Sequence, residues 1–289
     1  MREYIITTES NNDMPADFLS ENGIIVIPHY YSVEDEVYGG DKQISIHEFY
    51  DDMRAKKKVG TMASNPAVIR DTFTKAAEEG KDVLHISFSS GLSGGYNNVV
   101  MGAKEVMEEH PEMTIKVVDT LSVTLGEGVL LKAAVDARKQ GKNIEEAAAF
   151  VEAMVPHMVV LFTVEDLNYL YRGGRLKKST TVVGTIANIK PILHVDDEGK
   201  LVSLANTRGR KKSINMLIQY MKERIGSYRD KQYQVAVAHG DCEEDAQYLA
   251  NLVTQEFGYK DILIGQIGAS IGAHSGPGTV GVIFLGDKK

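Results

Sequence analysis

Ser93 lies in the segment Gly91-Leu92-Ser93-Gly94-Gly95, which has the G-x-S-x-G pattern found around the nucleophile of many serine hydrolases. The segment follows a buried-strand pattern, HISFS, and precedes a helix that is predicted to start near Tyr96. A strand, a glycine-rich turn and a helix N-terminus also form an anion site, because free backbone N–H groups and the helix dipole attract negative charge. The pattern therefore leaves open whether Ser93 is a nucleophile, a hydrogen-bond donor to an anion, or a helix cap.

Hydroxyl groups also crowd two other loops that lead into predicted helices. The segment at 58–66 contains Thr61, and the segment at 119–128 contains Ser122 between two threonines. Loops at the carboxyl ends of parallel strands meet in one crevice. We therefore expect Thr61, Ser122 and the Ser93-Gly94 turn to form a polar, uncharged seat for an anion. For any single loop, helix capping or a solvent-facing turn is the alternative.

His274 lies in a stretch with six glycines between Gly265 and Gly281. So many glycines beside a histidine indicate close backbone approach to a ligand rather than ordinary packing. Ser93 precedes His274 with several aspartates between them, which is the residue order of the α/β-hydrolase triad. A serine hydrolase with Ser93 as nucleophile and His274 as base is therefore the alternative to a binding site, although the chain has no HGGG-type oxyanion segment.

Basic residues concentrate in two short segments of an otherwise acidic protein. They are Arg172, Arg175, Lys177, Lys178, Arg208, Arg210, Lys211 and Lys212. A solvated charged face is the usual explanation for such runs. Their concentration in a chain with a net charge of −8 favours instead a surface for an acidic partner or a phosphate.

Composition excludes several classes of protein. The net negative charge of the 289-residue chain disfavours nonspecific binding to nucleic acid. No apolar run reaches the roughly 18 residues of a membrane span, and the N-terminus has no signal-peptide pattern. Cys242 is the only cysteine, so it has no disulfide partner and no second thiolate for a zinc site. We therefore expect a cytoplasmic protein without a metal or another cofactor.

Short apolar runs alternate with amphipathic helices in the first half of the chain, which predicts βαβ units and a largely parallel sheet. The predicted strands are Tyr4–Thr8, Ile24–Tyr30, Val83–Ser87 and Ile115–Val118. The predicted helices are Ile46–Lys57, Pro66–Glu79, Tyr96–Glu109, Gly126–Gln140 and Ile144–Met154. Two of them have start signals, namely Asn65 before Pro66, and Asn143 with Glu146 three residues later.

After Pro156 the pattern changes to strands joined by short turns. The predicted strands are Val159–Thr163, Ile192–Val195, Leu201–Ala205, Gln234–His239, Asp261–Ile267 and Val280–Leu285, and the predicted helices are Lys211–Ile225 and Glu243–Phe257. The segment at 196–200 predicts a hairpin turn. The expected fold is therefore a two-domain α/β protein, with a parallel-sheet α/β domain at 1–155 and an α+β domain with a mostly antiparallel sheet at 156–289. The cleft between two domains is the usual place for a ligand.

The whole chain resembles the DegV family of bacterial fatty-acid-binding proteins, and five motifs carry the resemblance in order. They are TTESNNDMP, TMASNP, SSGLSGGY, LYRGGRLKKSTTVVGTIANIKPIL and HSGPG. The sequence departs from the family pattern at Glu9, where Asp is usual, at Gly95, where Thr or Ser is common, and at Glu127. Gly95 removes one hydroxyl contact, and Glu127 is expected to put a charge near the site.

The resemblance implies a binding protein rather than an enzyme. A long-chain fatty acid would lie in an apolar tunnel between the two domains, with its carboxylate hydrogen-bonded by Thr61, Ser93 and His274 and by the N–H of Gly94. A separate ATP-dependent fatty acid kinase would phosphorylate this carboxylate to an acyl-phosphate for phospholipid synthesis. Arg172 matches the family arginine that is linked to the kinase, and Arg175 is assigned to the same partner surface. Transient contact with a membrane is a further expectation.

Overall fold

A computed structural model describes residues 2–176 and 189–289 of the chain. Two of the basic residues singled out in the sequence, Lys177 and Lys178, lie outside these described residues. Within the described ranges, no helix combines the length and the apolar character that crossing a membrane requires. The fold is an α/β arrangement with a parallel sheet in the first half and a mixed, mostly antiparallel sheet in the second, which confirms the predicted fold class.

Strands and helices alternate through the first half of the chain. In chain order they are β1 (Tyr4–Glu9), α1 (Ala16–Glu21), β2 (Ile25–Ile27), β3 (Tyr30–Val33), β4 (Glu36–Tyr38), α2 (Ile46–Arg54), β5 (Val59–Met62), α3 (Pro66–Glu78), β6 (Asp82–Ser87), α4 (Gly95–Glu109), β7 (Ile115–Asp119), α5 (Leu125–Lys139) and α6 (Ile144–Met154). Both predicted helix starts are confirmed. Asn65 caps α3 by accepting from the N–H of Ala67, and Asn143 forms a capping box with Glu146 at the start of α6.

The second half begins with a 3₁₀ turn at Val155–His157. Its further elements are β8 (Met158–Thr163), α7 (Asn168–Arg172), β9 (Ile189–Val195), β10 (Leu201–Arg208), α8 (Arg210–Ile225), a second 3₁₀ turn (Gly226–Tyr228), β11 (Val235–His239), α9 (Glu243–Phe257), β12 (Ile262–Gln266), α10 (Ala269–Ser275) and β13 (Val280–Leu285). The chain thus changes from one sheet to the other between α6 and β8, close to residue 155. The division into two domains at that residue stays a prediction.

The first sheet is parallel throughout, with the strand order β2-β1-β6-β7. Helices cover both of its faces. Val83 of β6 packs in a cluster with α3 and α4, whereas its neighbours Leu84 and Ile86 pack with α5 and α6. β6 is accordingly buried along its whole length, as parallel strands covered on both faces usually are.

One predicted strand is wrong in its extent. Ile24–Tyr30 was expected to be continuous, but β2 ends at Ile27 and the chain leaves the parallel sheet at Pro28, which has no N–H to donate to a ladder. The chain then forms a small antiparallel sheet with the order β4-β3-β5. The segment at 58–66, predicted to be a loop, therefore contains a strand, and Thr61 lies on it opposite Tyr31.

The second sheet has six strands in the order β10-β9-β8-β13-β11-β12. All neighbours are antiparallel except β11 and β12. The predicted hairpin turn is confirmed between β9 and β10, where Asp196 N–H donates to Lys200 O and Gly199 takes a φ of +72°. Ser89, beside the glycine-rich turn of the first half, donates from Oγ to Gly199 O at 2.7 Å. The hairpin tip is thereby joined to the turn that carries Ser93.

α5 lies between the two sheets and links their cores. It packs against β1 and β6 of the parallel sheet and against β8, β11 and β13 of the six-stranded sheet. Its residues are buried almost all round, including Leu130 and Leu131, which are fully inaccessible to solvent. Complete burial of such a side chain contributes roughly 1.5–3 kcal/mol. α5 thus holds the two sheets at a fixed spacing, with the loops at its N-terminal end facing the second sheet.

Candidate functional site

A largely apolar cavity lies where the loops of the parallel sheet meet the six-stranded sheet. Strands β8, β11 and β13 contribute the apolar residues Val160, Phe162, Ala238 and Ile283. α10 adds Ile271 and α7 adds Leu170. The wall formed by the second sheet and its helices therefore suits a hydrocarbon.

Polar groups line the cavity from both halves of the chain, and those of the first half follow the parallel strands. Each parallel strand is followed by a lining residue, namely Asn11 after β1, His29 after β2, Ser93 after β6 and Thr124 after β7. The expected meeting of the loops at the carboxyl edge of the sheet is thus observed. The cavity combines largely apolar surface with a small number of polar groups, which is the general character of a small-molecule site.

Ser93 and Gly94 line the cavity at the turn before α4. Gly94 is the N-cap residue and provides no side-chain cap, while Ser93 Oγ accepts a hydrogen bond from the N–H of Gly95 at 3.1 Å. The hydroxyl proton of Ser93 has no acceptor within residues 2–176 and 189–289. Ser93 therefore assists the start of the helix and retains a donor for a ligand.

Thr61 and His274 come together although they lie on different elements. Thr61 is on β5 and His274 is in the last turn of α10, and Thr61 Oγ1 is 2.8 Å from His274 Nε2. Burial, together with the positive charge of Arg175, lowers the pKa of His274 to about 4. The imidazole is therefore neutral at pH 7. The glycine-rich stretch around His274 was not expected to form a helix, and this placement is a finding of the structure.

Ser122 is not brought to this site. Its side chain is buried outside the cavity lining, with Oγ close to Gly126 in the first turn of α5. Thr124, two residues further on, lines the cavity instead and donates from Oγ1 to the Asp13 carboxylate. Burial raises the pKa of Asp13 to about 7. Of the three hydroxyl residues expected in the loop after β7, Thr120, Ser122 and Thr124, only Thr124 lines the cavity, and Ser122 is left out of the site proposed below.

The two arginines of the partner surface have different environments. Arg172, at the end of α7, is exposed and lies over the ring of Tyr169 at 4.7 Å. Arg175 lines the cavity, and its guanidinium donates to Leu92 O at 3.2 Å and to Gly173 O at 2.5 Å. The expectation of an uncharged site is therefore wrong, because Arg175 brings a cation to it. In the second basic segment, Arg210 is paired with Asp245 at 2.8 Å.

Two polar residues of the lining, Asn11 and His29, were missed by sequence reasoning. Asn11 Oδ1 and His29 Nε2 are both buried without a hydrogen-bond partner among the described residues. The signal that was available is their position, since each follows a strand of the parallel sheet at the same edge as Ser93. For His29 the predicted continuous strand Ile24–Tyr30 hides this signal, because the chain leaves the sheet at Pro28.

A set of buried ionisable groups lies behind the polar region. Glu9 accepts from Ser87 Oγ at 3.0 Å and from the N–H of Phe88 at 3.2 Å, and is 3.3 Å from His85 Nε2. Burial opposes ionisation of Glu9, but the charge and hydrogen bond of His85 outweigh it and lower the pKa of Glu9.

Glu127 lies in the same buried set, and its Oε1 accepts from Thr8 at 2.9 Å. Burial and the neighbouring Glu9 raise the pKa of Glu127 well above its usual value. Glu127 is also absent from the cavity lining. The expectation that it places a charge at the site is therefore wrong, because the side chain is enclosed in the core outside the cavity lining and its burial favours the neutral form.

The parts of a serine hydrolase are not assembled. Within the described residues no hydrogen bond joins Ser93 to His274, since His274 Nε2 faces Thr61 and Ser93 Oγ faces Gly95 N. His274 Nδ1, which a third triad member would bind, has no partner in the described part of the chain. It lies against Gly173, where a Cβ would be only 2.2 Å away. The geometry suits hydrogen bonding to a ligand better than proton transfer from Ser93.

Among the described residues, one group of side chains has the types and spacing of metal ligands, and it lies at the surface. His47, Asp51 and Asp241 lie together, but Arg54 already pairs with Asp51 at 2.8 Å and with Asp241 at 2.6 Å. The guanidinium therefore supplies the positive charge that the two carboxylates need. This group is an ion-pair cluster linking α2 to the start of α9, away from the cavity lining.

Comparison with known proteins agrees with this architecture. The family model described as "Uncharacterised protein, DegV family" matches residues 4–287. A DegV domain-containing protein of Clostridium perfringens is 35% identical over 291 residues, covering 100% of this chain and 99% of the relative. Similarity of this extent includes all of the elements that form the cavity.

Two solved structures have the same fold. One, on the fatty acid binding of a DegV family protein from Thermus thermophilus, is 25% identical, covers 99% of this chain and 100% of that chain, and has a TM-score of 0.87. The other, a DegV lipid-binding protein from Thermotoga maritima, is 27% identical, covers 99% of both chains and has a TM-score of 0.84. From the match along the whole sequence and the shared fold, this chain belongs to the DegV family.

Proposed function

We propose that this protein binds a long-chain fatty acid noncovalently. The acyl chain lies along the apolar wall of the cavity, and the carboxylate is held by Thr61, Ser93 and His274 with the N–H of Gly94. The observation that carries the proposal is the Thr61–His274 pair, which lies with Ser93 and Gly94 in the lining of a largely apolar cavity. Relatives from Thermus thermophilus and Thermotoga maritima that bind fatty acid or lipid support the same ligand class.

The apolar wall and the polar region make different contributions to binding. Each methylene group removed from water contributes about 0.8 kcal/mol, so the tail supplies most of the affinity. A carboxylate leaving water must keep hydrogen bonds, which the hydroxyls of Thr61 and Ser93 can donate. Arg175 adds an attractive positive charge from a guanidinium that is already anchored on two backbone carbonyls.

In this proposal the protein acts as a carrier and a separate protein performs the chemistry. An ATP-dependent fatty acid kinase phosphorylates the bound carboxylate, and the acyl-phosphate enters phospholipid synthesis. The exposed Arg172 at the end of α7 is the residue we assign to the kinase contact. Arg175 is reassigned from this contact to the cavity, because its guanidinium is engaged with Leu92 O and Gly173 O.

Mass spectrometry of the purified protein under native and then denaturing conditions tests the proposal. An excess mass equal to a long-chain fatty acid, present in the native spectrum and lost on denaturation, supports a noncovalent carrier. An excess that survives denaturation and maps to Ser93 would instead indicate an acyl-serine and a hydrolase. Protein that is free of lipid and fails to take up added palmitic acid would contradict both.

A further inference from the structure

We propose that His29 is a further ligand of the fatty acid carboxylate, donating a hydrogen bond from Nε2 beside Ser93. The inference rests on the proposed function, since it adds a residue to the polar region of the same cavity. In this arrangement each carboxylate oxygen is bound by one hydroxyl residue and one histidine. Thr61 and His274 form the first pair, and Ser93 and His29 form the second.

The position of His29 is set by the break between β2 and β3. Pro28 ends β2, and the next residue is held by a backbone hydrogen bond from His29 N–H to Ser10 Oγ at 2.9 Å. The side chain is 6% exposed and is part of the cavity lining. A histidine buried to this extent needs hydrogen-bond partners for both ring nitrogens.

Only one ring nitrogen of His29 has a partner in the described part of the chain. Nδ1 is 3.3 Å from Ser270 Oγ, and this hydroxyl has no other acceptor within the described residues. Because Ser270 has no other acceptor in the ranges described, we infer that it donates to Nδ1, which places the ring proton on Nε2 and makes Nε2 a donor. Nε2 is buried without a partner among residues 2–176 and 189–289. Unsatisfied buried donors are rare, and one in a cavity lining is suited to a ligand acceptor.

His29 Nε2 and the Ser93 hydroxyl both lie close to the Cα of Gly95, on the side where a side chain would project. A Cβ added to Gly95 would lie 3.2 Å from Ser93 Oγ and 3.7 Å from His29 Nε2. Both groups therefore border the space that a side chain at position 95 would enter.

The nearby carboxylate of Glu9 does not account for His29. Its oxygens already accept from Ser87 Oγ and Phe88 N–H, and its imidazole partner is His85 at 3.3 Å. No hydrogen bond in the described ranges joins Glu9 to His29. The charge of Glu9 acts on His29 without a hydrogen bond between them, and His29 Nε2 remains without a partner among the described residues beside the Ser93 turn.

Binding of palmitic acid and of hexadecanol to single variants tests this inference. His29→Leu is expected to weaken the binding of palmitic acid about tenfold and to change the binding of hexadecanol by less than about twofold. Loss of a hydrogen-bond donor costs a charged carboxylate more than it costs a hydroxyl. His29→Gln, whose amide nitrogen reaches the place of Nε2, is expected to keep most of the acid affinity. The matched control is His110→Leu at the far end of α4, about 22 Å along the helix from Gly95, and it should bind both ligands as wild type does.

Two outcomes overturn the inference. If His29→Leu loses acid and alcohol equally, or loses neither, His29 is a packing residue. If the wild-type protein itself does not bind the acid more tightly than the alcohol, the proposed function is contradicted. This result differs from one that contradicts only the role of His29. Should His29→Leu not fold, a ¹⁵N spectrum of the wild-type histidines decides. A proton on Nε2 of His29 whose shift moves on addition of palmitic acid supports the inference, and an unmoved signal or a proton on Nδ1 contradicts it.

Discussion

His274 Nε2 and Thr61 Oγ1 are 2.8 Å apart, although 213 residues separate them in the chain. The other ring nitrogen of His274, Nδ1, is buried beside Gly173 without a hydrogen-bond partner among the described residues, and an unpaired acceptor there costs less than an unpaired N–H donor. We infer that Nε2 carries the proton and donates to Thr61, which leaves the Thr61 hydroxyl proton for a ligand. The neutral ring implied by the low pKa of His274 is consistent with this direction.

The first prediction concerns the two hydroxyls. Thr61→Val and Ser93→Ala each remove one donor to the carboxylate, so we expect palmitic acid to bind about ten- to a hundredfold more weakly, with a much smaller change for hexadecanol. Isothermal titration calorimetry with both ligands measures this difference. Ser122→Ala is the matched control, because Ser122 is buried outside the cavity lining. Equal losses for acid and alcohol would show that neither hydroxyl binds the head group.

The second prediction concerns Gly173 as a support for His274. A Cβ at Gly173 would lie 2.2 Å from His274 Nδ1, so Gly173→Ala must displace the imidazole from Thr61. We expect weaker binding of palmitic acid, by roughly the factor seen for removal of one hydrogen bond. Gly174→Asn is the control. Gly174 has open space around it and a φ of +70°, a conformation that asparagine tolerates. Wild-type affinity in Gly173→Ala would contradict the positioning role.

The third prediction separates lipid binding from the partner contact. Arg172 is exposed and outside the cavity lining, so Arg172→Ala should bind palmitic acid as wild type does. We expect phosphorylation of the bound acid by the cognate kinase to fall at least about tenfold, in keeping with the loss of an interface arginine. Arg70→Ala, on the exposed face of α3, removes the same charge elsewhere and is the control. An unchanged rate of phosphorylation with Arg172→Ala would show that Arg172 is a solvent-exposed residue without a role in the kinase contact.

The fourth prediction concerns pH and the buried carboxyl of Glu127. Its pKa is raised in the folded state, so the folded protein retains a proton that the unfolded chain releases above about pH 4.5. The wild type therefore loses stability as pH rises through this range, relative to a variant without the ionisable group. We expect the free energy of unfolding of Glu127→Gln minus that of wild type to grow between pH 5 and 8, by at most about 1.4 kcal/mol per pH unit. Urea titrations at several pH values measure this, and a difference independent of pH would mean that Glu127 is ionised in the fold.

Several features of the protein follow from local sequence. Asn65-Pro66 and the Asn143–Glu146 pair mark two helix starts, and the turn at 196–200 marks a hairpin, because capping and turn geometry depend on residues within a few positions. The alternation of apolar runs with amphipathic helices determines the parallel sheet in the same way. The glycine-rich turn with Ser93 is likewise recognisable from local sequence, and it lines the cavity.

Other features depend on contacts between distant segments and were decided only by the tertiary structure. The direction of a side chain in a loop is set by what packs around it, which is why Thr124 rather than Ser122 lines the cavity. His29 became part of the site because Pro28 ends β2, and Arg175 because two backbone carbonyls hold its guanidinium. Whether Glu127 carries a charge depends on complete burial beside Glu9, and burial is a property of the folded chain rather than of any segment of it.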